Sequence, residues 1–223
     1  TLMEKAPKDK INLILTTGYG SSAAADGEVF EWLFPVGGGY WVAMDTTIQF
    51  LGKNVGGLDT LKGKKIAYVY YDVPYGKEPI PILKKRSEMH GFNVVLLPVT
   101  PPGLNQQGIW SRIRQEQPDY IILWTFGISS PIALEEARKI GFPRDKMYGS
   151  FWSGTDADVA KEGEKAKGYY AAVYQSSTAY NAPITKDALK LYEQGKGAGG
   201  DRYKNEVGSV LWLRGAMSAM YMA

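Results

Sequence analysis

The stretch Lys64–Pro79, KKIAYVYYDVPYGKEP, limits what this chain can fold into more than any other. Ile66 to Tyr71 is a nearly unbroken apolar run. Lys64 and Lys65 precede it, and the polar break Asp72–Gly76 follows. A short continuous apolar run bounded by turn residues suits a strand buried on both faces, the environment of a parallel sheet. From Lys77 the spacing becomes helical, with Ile82, Leu83 and Met89 a turn or two apart and Gly91 as the stop. The unit is strand, loop, helix. In open α/β sheets ligands meet the carboxyl ends of the strands. The loop Asp72, Val73, Pro74, Tyr75, Gly76 is therefore the first place to look for a site.

The same alternation recurs along the chain. Ile11–Leu15 reads as a short buried strand running into the Gly/Ser loop TTGYGSS, and Tyr40–Leu51 reads as a helix. Phe92–Val99 is a strand, and LNQQGIWSRIRQEQ is an amphipathic helix with Ile109, Trp110 and Ile113 inward. Asp119–Phe126 is a third strand after the central pair, followed by the helix SPIALEEARKIGF ending at Gly141. Met147–Trp152 and Gly168–Gln175 are the remaining strands. Pro183 opens a helix, and a long apolar helix runs from Glu206 onward. Repeated strand and helix with short connections predicts an α/β fold with parallel, doubly wound sheets. The 223 residues suffice for one large domain or two small ones. Gly37–Gly39 after Pro35 is either a hinge or a plain surface loop. The ends, TLMEKAPKDK and LWLRGAMSAMYMA, read as the tail of one helix and the interior of another, so a fragment is expected.

Several kinds of chemistry are poorly served. The net charge is only +3 without a long Lys/Arg block, which argues against nucleic acid as a partner. There is no cysteine, so thiol catalysis, disulfides and Cys-ligated metals are excluded. The only histidine, His90, precedes Gly91 at a helix end, where a structural role fits. No Ser lies in a G-x-S-x-G context, and no Gly-Lys pair is followed by Ser or Thr. Gly18-Tyr19-Gly20-Ser21-Ser22-Ala23 fits G-x-G-x-x-A, but the acidic residue that would hold a ribose about 20 positions later is missing. Those amides remain either donors for another anion, such as a carboxylate, or a tight turn. Asp156 and Asp158 lack a third ligand and the glycine of a calcium loop, and read as a solvated helix start. Glu135, Glu136 and Arg138 read as a solvated helix face. No catalytic residue, metal ligand or cofactor is assigned. Tyr19, Tyr75, Trp124, Phe126, Phe151 and Trp152 all fall at or just past strand ends. Together they form either core or one apolar wall of a binding site.

GKKIAYVYYDVPYGKEPIPILKK, PDYIILWTF with PIALEEARKIGF, and KMYGSFWSG resemble the type I periplasmic substrate-binding proteins of ABC importers, nearest the Leu/Ile/Val-binding, hydrophobic amino-acid group. The resemblance covers essentially the whole chain. It implies two α/β lobes joined by hinge crossovers: residues 1–36 in lobe one, 37–173 as lobe two, and 174–223 returning to lobe one. The opening of lobe one and the closing tail are absent from the resemblance. A ligand carboxylate would be gripped at Gly18, Tyr19, Gly20 and Ser21, with aromatic contacts from Tyr75 and Phe126. The family's acidic partner for a ligand ammonium is replaced here by Phe151 or Trp152. A buried ammonium without a counter-charge costs on the order of several kcal/mol, and a cation–π contact returns only about 0.5–2. The expected ligand is thus a small carboxylate with an apolar or aromatic body, its ring against Tyr75, Phe126 and Trp152. The expected setting is the periplasm or another extracytoplasmic site, as a monomer serving a membrane permease. The alternatives are a ligand-sensing regulatory domain of the same fold and an NAD(P)-dependent α/β enzyme.

Overall fold

The computed structural model of the chain describes residues 2–15, 26–35, 38–174, 182–196 and 206–222. In chain order these form α1 (Leu2–Asp9), β1 (Leu13–Leu15), β2 (Leu33–Pro35), α2 (Tyr40–Asn54), β3 (Lys65–Tyr71), α3 (Ile80–His90) and β4 (Asn93–Val99). They continue as α4 (Gln107–Glu116), β5 (Tyr120–Trp124), α5 (Ser129–Lys139), β6 (Met147–Gly149), β7 (Tyr170–Ala171), α6 (Pro183–Glu193) and α7 (Val210–Met222). The fold is α/β with parallel sheets. The chain divides into two units, Thr1–Gly39 with Val173–Ala223, and Tyr40–Ala172.

The Tyr40–Ala172 unit is built on a five-stranded parallel sheet in the order β4-β3-β5-β6-β7. The predicted central strand is there: every residue from Ile66 to Tyr71 is buried. Its neighbours are fixed in register, with Tyr70 opposite both Pro98 and Trp124. Pro98 cannot donate to a ladder, and β4 is an edge strand that tolerates it. At the amino ends, the Asp119 carboxylate accepts the Lys65 amide at 2.9 Å and the Lys64 ammonium at 3.1 Å, joining β3 to the start of β5. Helix α3 ends at Gly91, in the left-handed region at φ 70°. On the facing helices, Arg86 bonds the Asp45 carboxylate and lies 3.3 Å from His90 Nε2, so His90 belongs to the surface contact between α2 and α3.

Several predicted boundaries move. The helix expected from Lys77 is preceded by a one-turn helix at Pro74–Lys77, because Pro74 supplies the fixed φ suited to a first helical position. Strand β5 stops at Trp124 rather than Phe126, since the Thr125 amide is taken by Ser153 Oγ at 3.1 Å and leaves the ladder. Strand β6 stops at Gly149 rather than Trp152. Ser150 begins a turn closed by the Ser153 amide on the Ser150 carbonyl, 3.0 Å. Only Tyr170–Ala171 of the predicted Gly168–Gln175 strand pairs, and Gln175 lies outside the described residues. The other unit holds the parallel pair β1–β2, with α7 packed on β1. Helix α6 begins at Pro183 as expected, while α7 begins at Val210, a turn later than Glu206.

Gly76 makes one close approach that a side chain would forbid. A Cβ there would lie 2.0 Å from the Tyr71 carbonyl oxygen, whereas Gly108 in α4 meets nothing within 4 Å. Gly76→Ala should lower Tm by about 3–10 °C through overpacking against backbone. Gly108→Ala should hold or raise Tm, because alanine favours the helix. Thermal unfolding of both variants measures this, and equal Tm values would contradict the assigned turn.

Candidate functional site

Three loops meet at the carboxyl ends of β3, β5 and β6, and each brings aromatic and hydroxyl groups. The one-turn helix after β3 turns Tyr75 inward. Its ring lies 5.1 Å from Tyr40 and 5.5 Å from Phe126, edge-on to both, and 6.4 Å from Trp124. Tyr40, at the start of α2, stacks on Phe151 at 5.7 Å. Phe126 sits edge-on to Tyr71 at 4.8 Å and 6.2 Å from Trp152, which in turn lies 5.8 Å from Phe151. These rings form one continuous cluster, with contacts in the range where aromatic pairs add to ordinary burial.

Exposure sorts the cluster. Tyr75 is 8% exposed and Phe151 1%, whereas Phe126 is 42% exposed and Trp152 half-buried. Trp124 is fully buried. Of the sequence-predicted aromatics, Tyr75, Trp124 and Phe151 are therefore core, and Phe126 and Trp152 present ring surface to solvent. The four other predicted site residues, Gly18, Tyr19, Gly20 and Ser21, lie outside the described residues.

Beneath Phe126 and Trp152 lies a buried set of hydroxyls. Tyr75 Oη is 3.1 Å from Ser150 Oγ, and Ser150 Oγ is 3.1 Å from Ser153 Oγ. Ser153 Oγ is 2.7 Å from the Thr125 carbonyl oxygen. Thr125 Oγ1 pairs with Ser130 Oγ at 3.2 Å. Burial holds the Tyr75 phenol well above its usual value, so it remains a neutral donor. Tyr68, which donates to the Gly76 carbonyl at 2.8 Å, and Tyr169, which donates to the Ser153 carbonyl at 3.2 Å, are raised by burial in the same way.

Tyr40, Thr125, Ser150 and Ser153 were not foreseen from sequence as parts of this cluster. The i, i+3 spacing of Ser150 and Ser153 at a strand end was the available signal. Asp158 also departs from its predicted role as a solvated helix start. It is half-buried, and its Oδ2 accepts the Gly127 amide at 2.9 Å, tying the loop after β6 to the loop after β5. Asp156 does open a one-turn helix, Asp156–Val159. Of the predicted solvated helix face, exposed Arg138 pairs with half-buried Glu135 at 2.6 Å, whereas the Glu136 side chain is only 15% exposed and pairs with Lys139 at 2.6 Å. Among the described residues, no three His, Cys, Asp or Glu side chains gather as metal ligands. His90 lies at the opposite end of the sheet, where the Gly91 carbonyl accepts the Gly63 amide. The cluster offers aromatic surface above hydroxyls that are fully buried and paired within the protein.

The architecture is a parallel α/β sheet with its aromatic and hydroxyl cluster at the carboxyl ends of the strands. The periplasmic binding protein family model matches residues 1–220, and the chain belongs to that family. The solved structures agree. An ABC transporter protein of the Pseudomonas fluorescens group, described as a permease, is 37% identical with TM-score 0.85, over 98% of this chain and 52% of that one. A branched-chain amino-acid ABC transporter protein from Thermus thermophilus with bound valine is 18% identical, TM-score 0.75, over 98% of this chain and 54% of that one. A solute-binding protein from Rhodopseudomonas palustris in complex with benzoate is 17% identical, TM-score 0.74, over 98% and 56%. The last two show the fold alone. No curated protein sequence matches significantly. The chain spans about half the length of these solved structures.

The buried tyrosines carry a pH signature. The folded state raises the pKa of Tyr68, Tyr75 and Tyr169 above 10.0. Their contribution to stability is complete below pH 10 and is lost as pH rises through the folded values. Phenolate absorbance should therefore show these tyrosines ionising only together with unfolding. Ionisation near pH 10 with the fold intact would contradict their placement.

Proposed function

We propose that the chain is part of an extracytoplasmic solute-binding protein of an ABC importer, which closes two lobes on a small carboxylate with an apolar or aromatic body. The observation that carries the reading is the neighbouring pair of exposed Phe126 and half-buried Trp152 at the carboxyl ends of a parallel sheet. In this reading Gly18, Tyr19, Gly20 and Ser21 hold the carboxylate through backbone amides, and the ring lies against Phe126 and Trp152. Residues 1–36 and 174–223 belong to lobe one and 37–173 to lobe two, with the triple glycine as one hinge crossing. Closure lets a membrane permease distinguish loaded from empty protein. The binding protein acts as a monomer, without catalysis and without nucleic acid. Among the described residues no helix is long and apolar enough to cross a membrane.

One observation favours a second ligand class. Asp158 sits on the amide that follows Phe126, which brings a carboxylate to the loop beside the exposed ring. A ligand with an ammonium could meet that charge and avoid the desolvation penalty of an unpaired cation. Valine and benzoate separate the two readings.

The test is a thermal-shift titration of the complete, ligand-stripped protein. A ligand at about 100 times its Kd adds about 2.7 kcal/mol, or roughly 5–10 °C for a protein of this size. Benzoate should produce the shift and valine should not. Trp152→Ala should weaken benzoate by about tenfold, equivalent to about 1.4 kcal/mol. A shift with valine alone would move the ligand to the amino-acid class, and unchanged benzoate affinity in Trp152→Ala would remove the ring from the site.

A further inference from the structure

We propose that Tyr75, Ser150 and Ser153 are positioning residues. Through a one-directional chain of hydroxyl hydrogen bonds they hold the backbone of Phe126, which is exposed, and of Trp152, which is half-buried. The role in binding rests on the ligand reading above; the positioning stands on geometry.

Each hydroxyl owns one hydrogen, and this sets the order of the chain. Ser153 Oγ lies 2.7 Å from the Thr125 carbonyl and 3.1 Å from the Leu123 carbonyl. Carbonyls only accept, so the Ser153 hydrogen goes to Thr125, the shorter contact. Ser153 also accepts the Thr125 amide at 3.1 Å. Its remaining lone pair takes the Ser150 hydroxyl at 3.1 Å. With its hydrogen committed, Ser150 accepts from Tyr75 at 3.1 Å, a hydrogen shared with the Thr125 carbonyl at 3.4 Å, and its second lone pair is shared by the Trp152 and Ser153 amides, both 3.3 Å away. Ser150, Ser153 and Thr125 are fully buried, so water supplies no substitute.

The backbone consequences fall on Phe126 and Trp152. Phe126 follows Thr125, whose amide and carbonyl are both held by Ser153. Trp152 lies between the two serines, and its own amide is held by Ser150. Chains of hydrogen bonds donating in one direction polarise one another, and a chain broken at one member leaves buried groups unsatisfied. Tyr75 has its hydroxyl inside the chain and its ring, 8% exposed, packed within the aromatic core. Its residue type and loop position pointed to a contact; its burial makes it a support.

The test is fluorine NMR of the complete protein labelled with fluorotryptophan. The chain has six tryptophans, and Trp152→Phe assigns the Trp152 resonance. Ser153→Ala and Tyr75→Phe should each shift or split the Trp152 resonance, while that of Trp110, buried in α4, keeps its position. Tyr75→Phe preserves shape and stands in should Ser153→Ala fail to fold. An unmoved Trp152 resonance in Tyr75→Phe would overturn the proposal. So would equal movement of all the tryptophan resonances, which would mark general loosening. Absence of any benzoate response in the wild type would count against the ligand reading alone, because the fluorine spectra need no ligand.

Discussion

The structure depends on burying β3 on both faces. Ile66, Ala67, Tyr68 and Val69 have no exposed surface. Each large side chain among them contributes about 1.5–3 kcal/mol by leaving water. A strand buried this way needs neighbours on both edges and helices on both faces, and parallel winding provides both. Once β3 lies at the middle of such a sheet, its direction fixes which ends of its neighbours converge. The loops after β3, β5 and β6 must then meet at one end of the unit. The ion pairs of Lys64 and Lys65 with Asp119 and Glu116 tie down the other end.

At the carboxyl end two demands compete. Strand ends leave backbone amides and carbonyls without ladder partners, and burial requires that they be satisfied. The aromatic rings meanwhile exclude water. Ser150, Ser153 and Thr125 reconcile these demands with short side chains that reach the backbone without adding bulk. Gly149 and Gly154 leave the room they need: a Cβ at Gly149 would strike the Tyr169 hydroxyl, and one at Gly154 would strike the Ala171 side chain. The outcome is a firm floor of buried hydroxyls and rings beneath exposed Phe126 and half-buried Trp152. A floor of that kind lowers the ordering cost that a bound ligand would otherwise meet.

The central strand and its helix were legible because a continuous apolar run and a helical spacing are local patterns. Gly91 as the end of α3 and Pro183 as the start of α6 were legible for the same reason. The ends of β5 and β6 were not, because the Thr125 amide leaves the ladder for Ser153, distant in sequence, and Ser150 opens a turn closed by the Ser153 amide. Phe151 and Trp152 looked equivalent as neighbours at a strand end. In the turn that replaces the strand, Phe151 points into the rings of Tyr40 and Trp152 remains half-exposed. Tyr75 showed the right residue type at the right loop, and only the packing of Tyr40 and Trp124 around it reveals that it is core. Asp158 read as solvated, because its partner, the Gly127 amide, comes from another loop.

In the proposed function, solute binds at the carboxyl-end face carrying Phe126 and Trp152. Hydrogen exchange of the complete protein, with and without saturating benzoate, tests it most directly. Bound benzoate should slow exchange at residues 124–128 and 150–155 and leave α3 and α4 unchanged. Slowing confined to the opposite end of the sheet, around the 260 Å³ cavity lined by Arg114, Gln117 and Phe142, would contradict it.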